Sequence, residues 1–198
     1  MRANVVVDQT TGMRLEDLRD PVPGPGEVLL DVVGCGVCHT DLHVLKNEVA
    51  FPRPAVLGHE ISGTVRTVGS GVEGLSPGDR VVSSFIMPCG TCRHCVRGHD
   101  DLCETFFSHN RLKGTLHDGT SRLFRADGEQ VAMYSMGGLA EQCVVPATDV
   151  FHVPADLDLA ESAILGCGVF TRGVAGRNTW AVSVADKVAL VVPPGMWM

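Results

Sequence analysis

Short apolar runs separated by glycine and proline characterise the first 150 residues of the chain. The turns between them carry proline–glycine and glycine–serine–glycine sequences, which favour changes of chain direction. Strands of this length and spacing, joined by such turns, predict a mainly β barrel or sandwich. Five of the runs are rich in valine and isoleucine and predict β-strands, at Asn4–Val7, Glu27–Val33, Ile61–Val68, Arg80–Phe85 and Gln142–Val145.

Two segments depart from this pattern and predict short helices. The first, Thr40–Glu48, is mostly polar with two leucines three positions apart, and either Thr40 or Asp41 could cap its N-terminus. The second begins at Asp158, which is a predicted N-cap with Glu161 at the capping-box position. Both helices are short, so they modify the mainly β prediction without replacing it.

Composition and charge narrow the class of protein. With 198 residues and 44% apolar positions, the chain can form one ordinary domain, or one domain and the start of another. A net charge of -7 with three lysines argues against nucleic acid or an anionic membrane as partner. No apolar run is long enough for a membrane span or a signal-peptide core. Together with cysteines at metal-type spacing, these features predict a cytoplasmic protein.

Four of the 8 cysteines form a compact C-x2-C-x2-C-x7-C pattern. Four thiolates can surround a tetrahedral zinc ion at about 2.3 Å, and two-residue spacers let a tight turn direct successive sulfurs to one point. An iron–sulfur cluster is the first alternative, but the bacterial ferredoxin pattern has a last gap of three residues followed by proline. A disulfide-linked lobe is the second alternative. The pattern favours structural zinc, with ligands Cys89, Cys92, Cys95 and Cys103.

Three distant positions add a second set of metal-type side chains: Cys38, His59 and Cys167, each next to or near glycine. Separately these residues indicate little, because a lone cysteine is usually a small buried hydrophobe and a lone histidine a loop residue. Cys35 and Cys143 are interpreted as such buried hydrophobes. Together, however, two cysteines and one histidine are a known ligand set for catalytic zinc, which keeps a fourth position open.

The order of these motifs resembles that of the zinc-dependent medium-chain alcohol dehydrogenases, over about residues 1–192. The matching stretches are Val37-Cys38-His39-Thr40-Asp41, Gly58-His59-Glu60, the four-cysteine pattern and Gly166-Cys167-Gly168-Val169-Phe170-Thr171. The resemblance implies a GroES-like β-barrel catalytic domain over residues 1–178, with a zinc lobe at 88–104. It also implies two zinc ions per chain, the cofactor NAD(H), a small-molecule alcohol or aldehyde as substrate, and a homo-oligomeric family.

The same resemblance implies individual roles. Thr40 would accept the alcohol proton and His43 would pass it to solvent. Asp41 and Glu60 would support the ligands, a carboxylate on the second ring nitrogen of His59 fixing its tautomer. His39 would contact the cofactor pyrophosphate, with a solvated loop histidine as the alternative. The catalytic zinc would be held by Cys38, His59 and Cys167, and the structural zinc by Cys89, Cys92, Cys95 and Cys103.

The end of the chain departs from the family. Lys187–Val192 resembles the first strand of a Rossmann nucleotide-binding domain, which residues 179–198 would begin, after a turn at Asp186. The family continues with a G-x-G-x-x-G loop whose backbone approaches the pyrophosphate. Here Pro193-Pro194 follows, and proline lacks the amide donor that such a loop uses. The sequence therefore predicts a truncated chain for which NAD(H) binding is in doubt. The alternative function is that of a catalytically incompetent zinc-binding fragment.

Overall fold

A computed structural model describes residues 1–8 and 12–171, and its strands form two five-stranded sheets. The first sheet has the strand order β2-β1-β4-β8-β7 and the second has the order β10-β6-β5-β3-β9. The mainly β prediction is confirmed. The strands are β1 (Arg2–Asp8), β2 (Gly12–Asp17), β3 (Glu27–Gly36), β4 (Ala55–Val56), β5 (Glu60–Val68), β6 (Arg80–Ser83), β7 (Leu123–Phe124), β8 (Gln130–Met133), β9 (Gln142–Pro146) and β10 (Val150–His152).

The five predicted strands lie at β1, β3, β5, β6 and β9, although β6 ends two residues early, at Ser83. The other five strands were not predicted. β4 and β7 have two residues each, too short to show a period of two. β2 is a mostly exposed edge strand with polar residues, so it has no apolar signal.

The core lies between the sheets and is centred on β3, which pairs with β5 on one side and β9 on the other. Leu30 is fully buried and stands opposite Val65 in β5 and Cys143 in β9. Burying one such side chain contributes about 1.5–3 kcal/mol. A bridge between Ala3 and Ala140 joins the first sheet to the segment before β9, and the main buried cluster contains residues of both sheets. A second, smaller cluster includes Val44 of the first helix and Tyr134.

The first helix, α1, covers His39–Leu45. Its N-cap is Cys38, whose backbone N–H donates to Asp41 Oδ2 at 3.0 Å. The prediction that Thr40 or Asp41 is the cap was therefore wrong. Asp41 occupies the third helical position, from which its carboxylate reaches back to the start of the helix, as in a capping box.

The second predicted helix is a 3₁₀ helix at Glu161–Gly166, with Ala160 as its N-cap. Asp158 lies before the cap, although its Oδ1 accepts the Glu161 N–H at 2.9 Å. The N-cap position is therefore Ala160 and not Asp158 as predicted, although the Asp158 side chain accepts a backbone N–H of the first turn as a capping residue does. The remaining short helices are 3₁₀ helices at Cys95–Arg97, Asp100–Leu102 and Ala147–Asp149 and a π-helix at Phe106–Arg111.

A largely buried ion pair fixes the start of β3. Arg122 donates to Glu27 through Nη2 at 2.6 Å and through Nε at 2.8 Å, and the two side chains are 13% and 10% exposed. Glu27 Oε2 also accepts the Gly24 N–H at 2.7 Å. This two-point contact ties the segment before β7 to a strand 95 residues earlier, with the directional geometry that arginine provides.

Several predictions lie outside the described residues: the strand at Lys187–Val192, the turn at Asp186 and the departure at Pro193-Pro194. The division into residues 1–178 and 179–198 also stays a prediction. Within the described ranges, no helix is long and apolar enough to cross a membrane.

Candidate metal centres

The four lobe cysteines converge on one point. Their sulfur atoms all lie within 4.8 Å of one another, and Cys92 Sγ is 3.5 Å from Cys95 Sγ. Four sulfurs bound tetrahedrally at about 2.3 Å from one zinc ion are about 3.8 Å apart. A disulfide would need a separation of about 2.05 Å, and all eight cysteines are free. The donor set and its spacing therefore fit zinc.

Backbone N–H groups prepare the lobe sulfurs for binding as thiolates. Cys89 N–H donates to Cys103 Sγ and Cys92 N–H to Cys89 Sγ, both at 3.3 Å. Burial raises the pKa of Cys89, but hydrogen bonds from the Thr105 side chain and nearby backbone lower it to about 5. Gly90 has φ of 73°, the left-handed conformation that lets the chain turn between the first two ligands.

Cys38, His59 and Cys167 form a second group whose ligand atoms also lie within 4.8 Å of one another. Cys38 caps α1, His59 directly precedes β5, and Cys167 follows the last 3₁₀ helix. The two sulfurs are 4.0 Å apart. His59 is fully buried. Its Nδ1 lies 3.4 Å from Asp41 Oδ1, and its Nε2 has no hydrogen-bond partner among the described residues. A buried ring nitrogen without a partner is costly unless it binds something else, and a metal ion would satisfy it.

The charges in this group also fit a cation. The Cys167 thiol lowers the pKa of Cys38 to about 3, against the effect of burial, and the Cys38 thiolate raises the pKa of Cys167. Burial lowers the pKa of His59, but the nearby Asp41 carboxylate and Cys38 thiolate outweigh it and raise the value to about 9. Two thiolates become compatible at this distance when a divalent cation lies between them, and binding then displaces the protons. Two cysteines and one histidine therefore fit catalytic zinc.

Two buried carboxylates hold the ligand-bearing segments. Asp41 is 1% exposed, and its Oδ1 lies 3.4 Å from His59 Nδ1 and accepts the Gly58 N–H at 3.1 Å. Because its Oδ2 also accepts the Cys38 N–H, Asp41 contacts the backbone beside two ligands. Glu60 Oε1 accepts the Gly168 N–H at 3.0 Å, next to the third ligand. Burial raises the pKa of Glu60, and the Cys38 thiolate raises it further.

Replacing Asp41 by asparagine is expected to weaken zinc binding at the Cys38 group by roughly 10- to 100-fold, because supporting carboxylates orient the imidazole and raise its basicity. Competition with a chelator would measure the affinity, and the lobe site should be unchanged. Asp31→Asn is the matched control, since Asp31 pairs with Arg66 on the surface and its side chain is 40% exposed. Equal affinities for the two variants would refute this role of Asp41.

The other predicted site residues lie on α1. Thr40 Oγ1 is 3.5 Å from Cys38 Sγ, beside the metal group. One turn later, the ring of His43 lies 4.6 Å from that of His39, centroid to centroid. His43 Nδ1 contacts the Glu48 carboxylate, and 41% of the His43 side chain is exposed. The helix therefore leads from the buried metal group to solvent.

Two aromatic residues that the sequence analysis did not single out enclose His59. The ring centroid of Phe85 lies 4.7 Å from that of His59, and the centroid of Tyr134 lies 6.1 Å away. Tyr134 is fully buried and its hydroxyl has no hydrogen-bond partner among the described residues. These side chains give the metal group an apolar wall. The one available signal was that Tyr134 is the chain's sole tyrosine.

Comparisons with known proteins agree with this architecture. The alcohol dehydrogenase GroES-like domain family matches residues 24–155. The chain is similar to an NDMA-dependent alcohol dehydrogenase of Amycolatopsis methanolica, with 35% identity over 188 residues, 94% of this chain and 50% of that protein. The chain thus spans about half the length of this relative.

Solved structures give the same result. An alcohol dehydrogenase zinc-binding domain protein from Burkholderia ambifaria superposes with a TM-score of 0.84 and 36% identity, covering 91% of this chain and 49% of that one. Acetophenone reductase from Geotrichum candidum, solved in complex with NAD, has a TM-score of 0.67 and 29% identity, covering 89% and 47%. Since the family match spans most of the two-sheet domain that carries both metal groups, the chain belongs to the alcohol dehydrogenase family with a GroES-like domain.

Proposed function

We propose that this chain is the metal-binding part of an NAD(H)-linked alcohol oxidoreductase, which oxidises a small alcohol or reduces an aldehyde. The convergence of Cys38, fully buried His59 and Cys167, whose ligand atoms all lie within 4.8 Å of one another, carries the proposal. The names of the relatives support the same reaction class. In this proposal the four lobe cysteines hold a structural zinc.

Cys38, His59 and Cys167 would hold zinc, which would supply the Lewis acidity that makes a substrate hydroxyl more acidic. NAD(H) would supply the hydride chemistry. The chain's own contribution is the charge of its ligands. Two thiolates would balance the two positive charges of the ion and neutral His59 would add none, so the occupied site would be nearly neutral. Phe85 and Tyr134 would keep water away from the reacting group, which strengthens electrostatic interactions there.

A proton path along α1 belongs to the same proposal. Thr40 Oγ1, next to Cys38 Sγ, would accept the proton of the substrate hydroxyl and donate its own. His43 lies one turn further along and is partly exposed, so it would pass the proton to water. Glu48 would hold the His43 ring in place. His39, at the exposed start of the helix, would contact the cofactor phosphates.

Metal analysis tests the proposal directly. Protein purified without chelator is expected to contain two zinc ions per chain, and Cys38→Ala is expected to contain one. Iron with sulfide, or two ions in Cys38→Ala, would contradict the assignment of the ligands. A serine substitution of Cys143 is the matched control, because Cys143 is a cysteine outside both groups and should leave both ions in place.

A second measurement separates an oxidoreductase from a protein that only stores or binds zinc. With Co²⁺ in place of zinc, the visible absorption reports the open coordination position, and a small primary alcohol is expected to shift it. Thr40→Val should weaken that response while retaining the metal. A spectrum that does not respond to alcohol, together with no detectable NADH binding by fluorescence, would reject the oxidoreductase and leave the alternative of a zinc-binding fragment.

A further inference from the structure

Two histidines stand side by side on the exposed surface of α1. His39 and His43 are four positions apart, so they lie on the same helix face. Their ring centroids are 4.6 Å apart, and the ring planes cross at 77°. His39 is exposed and His43 is 41% exposed, so both rings can be reached from solvent. The pair is separate from the two cysteine-containing groups, which use neither ring.

This ring spacing is compatible with shared binding of an ion. A nitrogen bound to Zn²⁺ lies at about 2.0–2.1 Å, which puts each imidazole centroid about 3.2 Å from the ion. At tetrahedral or octahedral angles, two such centroids are about 4.5–5.2 Å apart. The observed 4.6 Å falls within this range without any movement of the helix backbone. Histidines four apart on one helix face are also the arrangement by which zinc metalloproteases bind their ion.

Glu48 supplies a second, independent observation. Its carboxylate contacts Nδ1 of His43, which leaves Nε2 of the same ring as the nitrogen available to an ion. Histidines that bind metals nearly always donate their other ring N–H to a carboxylate or carbonyl, which fixes the tautomer and raises the basicity of the ligand. The interaction with His43 also lowers the pKa of Glu48, so its carboxylate is ionised.

We propose that His39 and His43, supported by Glu48, form a third metal site that takes a divalent transition ion with a preference for imidazole, such as Ni²⁺, Cu²⁺ or Zn²⁺. Water completes the coordination, because the two rings are the protein ligands. The site is therefore weaker and more readily exchanged than the two cysteine-containing groups. It fills when such ions are in excess.

The site has a consequence that rests on the proposed function. An ion bound to Nε2 of His43 occupies the nitrogen that would release the substrate proton to water, and the same ion covers His39 where a phosphate would bind. Excess divalent ion would therefore inhibit the enzyme by occupying this helix face, with the buried zinc still in place. The binding test below needs no turnover, so its result is independent of the oxidoreductase assignment.

Calorimetric titration of the zinc-loaded chain with Ni²⁺ measures the affinity and stoichiometry of the proposed site. Ni²⁺ is chosen because, unlike Cu²⁺, it does not oxidise thiolates. One additional ion per chain is expected. His39→Gln and His43→Gln should each weaken Ni²⁺ binding at least tenfold, and Glu48→Gln should weaken it severalfold while both rings remain. His152→Gln is the matched control, because His152 is an exposed histidine on β10, which pairs with β6, and this variant should bind Ni²⁺ as the unchanged chain does.

Zinc content, measured after each titration, must stay at the value found before Ni²⁺ was added, which shows that neither cysteine-containing group exchanged its ion. Wild-type affinity in His39→Gln, or loss of affinity in His152→Gln equal to that in His43→Gln, would overturn the proposal. Unaltered Ni²⁺ binding in all four variants would do the same. If these results reject the third site while zinc remains bound at Cys38, His59 and Cys167, the proposed function is unaffected.

Discussion

Replacing Cys92 by alanine is expected to unfold the lobe at residues 88–104 while the two sheets remain folded. The lobe has short 3₁₀ turns in place of strands, and its sulfurs accept backbone N–H groups of the same loop. Structural zinc sites contribute about 10–16 kcal/mol of apparent binding energy, or roughly 3 kcal/mol for each of four ligands. Losing one thiolate should therefore weaken zinc binding by at least about 100-fold and remove the constraint that orders the loop.

Limited proteolysis followed by mass spectrometry measures this effect. Cuts are expected after the arginines of the lobe, Arg93 and Arg97, in Cys92→Ala. In Cys38→Ala the lobe should resist the protease, because its ligands are intact and the Cys38 group lies on sheets with their own apolar core. Val96→Ala is the matched control, since Val96 is an exposed lobe residue and not a metal ligand. The same cleavage pattern in Cys92→Ala and Cys38→Ala would show that the two sites do not differ in this way.

Replacing Gly166 by alanine is expected to weaken metal binding strongly at the Cys38 group. A Cβ atom at Gly166 would lie 1.9 Å from the backbone oxygen of Ser83, and Ser83 belongs to β6, which is paired on both sides. The strand cannot retreat without breaking ladder hydrogen bonds, so the segment that carries Cys167 must move instead. With one of three ligands displaced, zinc affinity should fall by about 100-fold or more.

Zinc stoichiometry by elemental analysis would show the change from two ions per chain to one, with the lobe ion retained. Glu161→Ala is the control in the same 3₁₀ helix, because Glu161 is exposed and belongs to neither metal group. It should retain both ions. Retention of both ions in Gly166→Ala would show that this glycine does not position Cys167.

The metal ligands of the lobe could be predicted from residues that are close together in the sequence. Cys89, Cys92 and Cys95 are separated by two residues each, and such spacers place successive sulfurs on one side of a tight turn whatever the rest of the fold does. The structure brings all four lobe sulfurs together as the spacing predicts. The longer strands were predictable for a similar reason, since richness in valine and isoleucine between turn residues is a property of the local sequence.

The second metal group depended on tertiary structure. Cys38 and Cys167 are 129 residues apart, and only the pairing of β3 with β5 and the packing of the last 3₁₀ helix decide that their sulfurs approach to 4.0 Å. From the sequence, the three ligands could be grouped because their order resembles a known family, whereas spacing alone left each of them an ordinary buried side chain.

The sequence by itself determined the mainly β class, the ligand types and the local lobe, because these follow from the composition of short apolar runs and from short-range geometry. Only the tertiary structure decided that Phe85 and Tyr134 surround His59 and that Asp41 rather than Glu60 faces its ring. Long-range packing sets these contacts, and aromatic or acidic residues carry no local signal that distinguishes a site wall from an ordinary core or surface position.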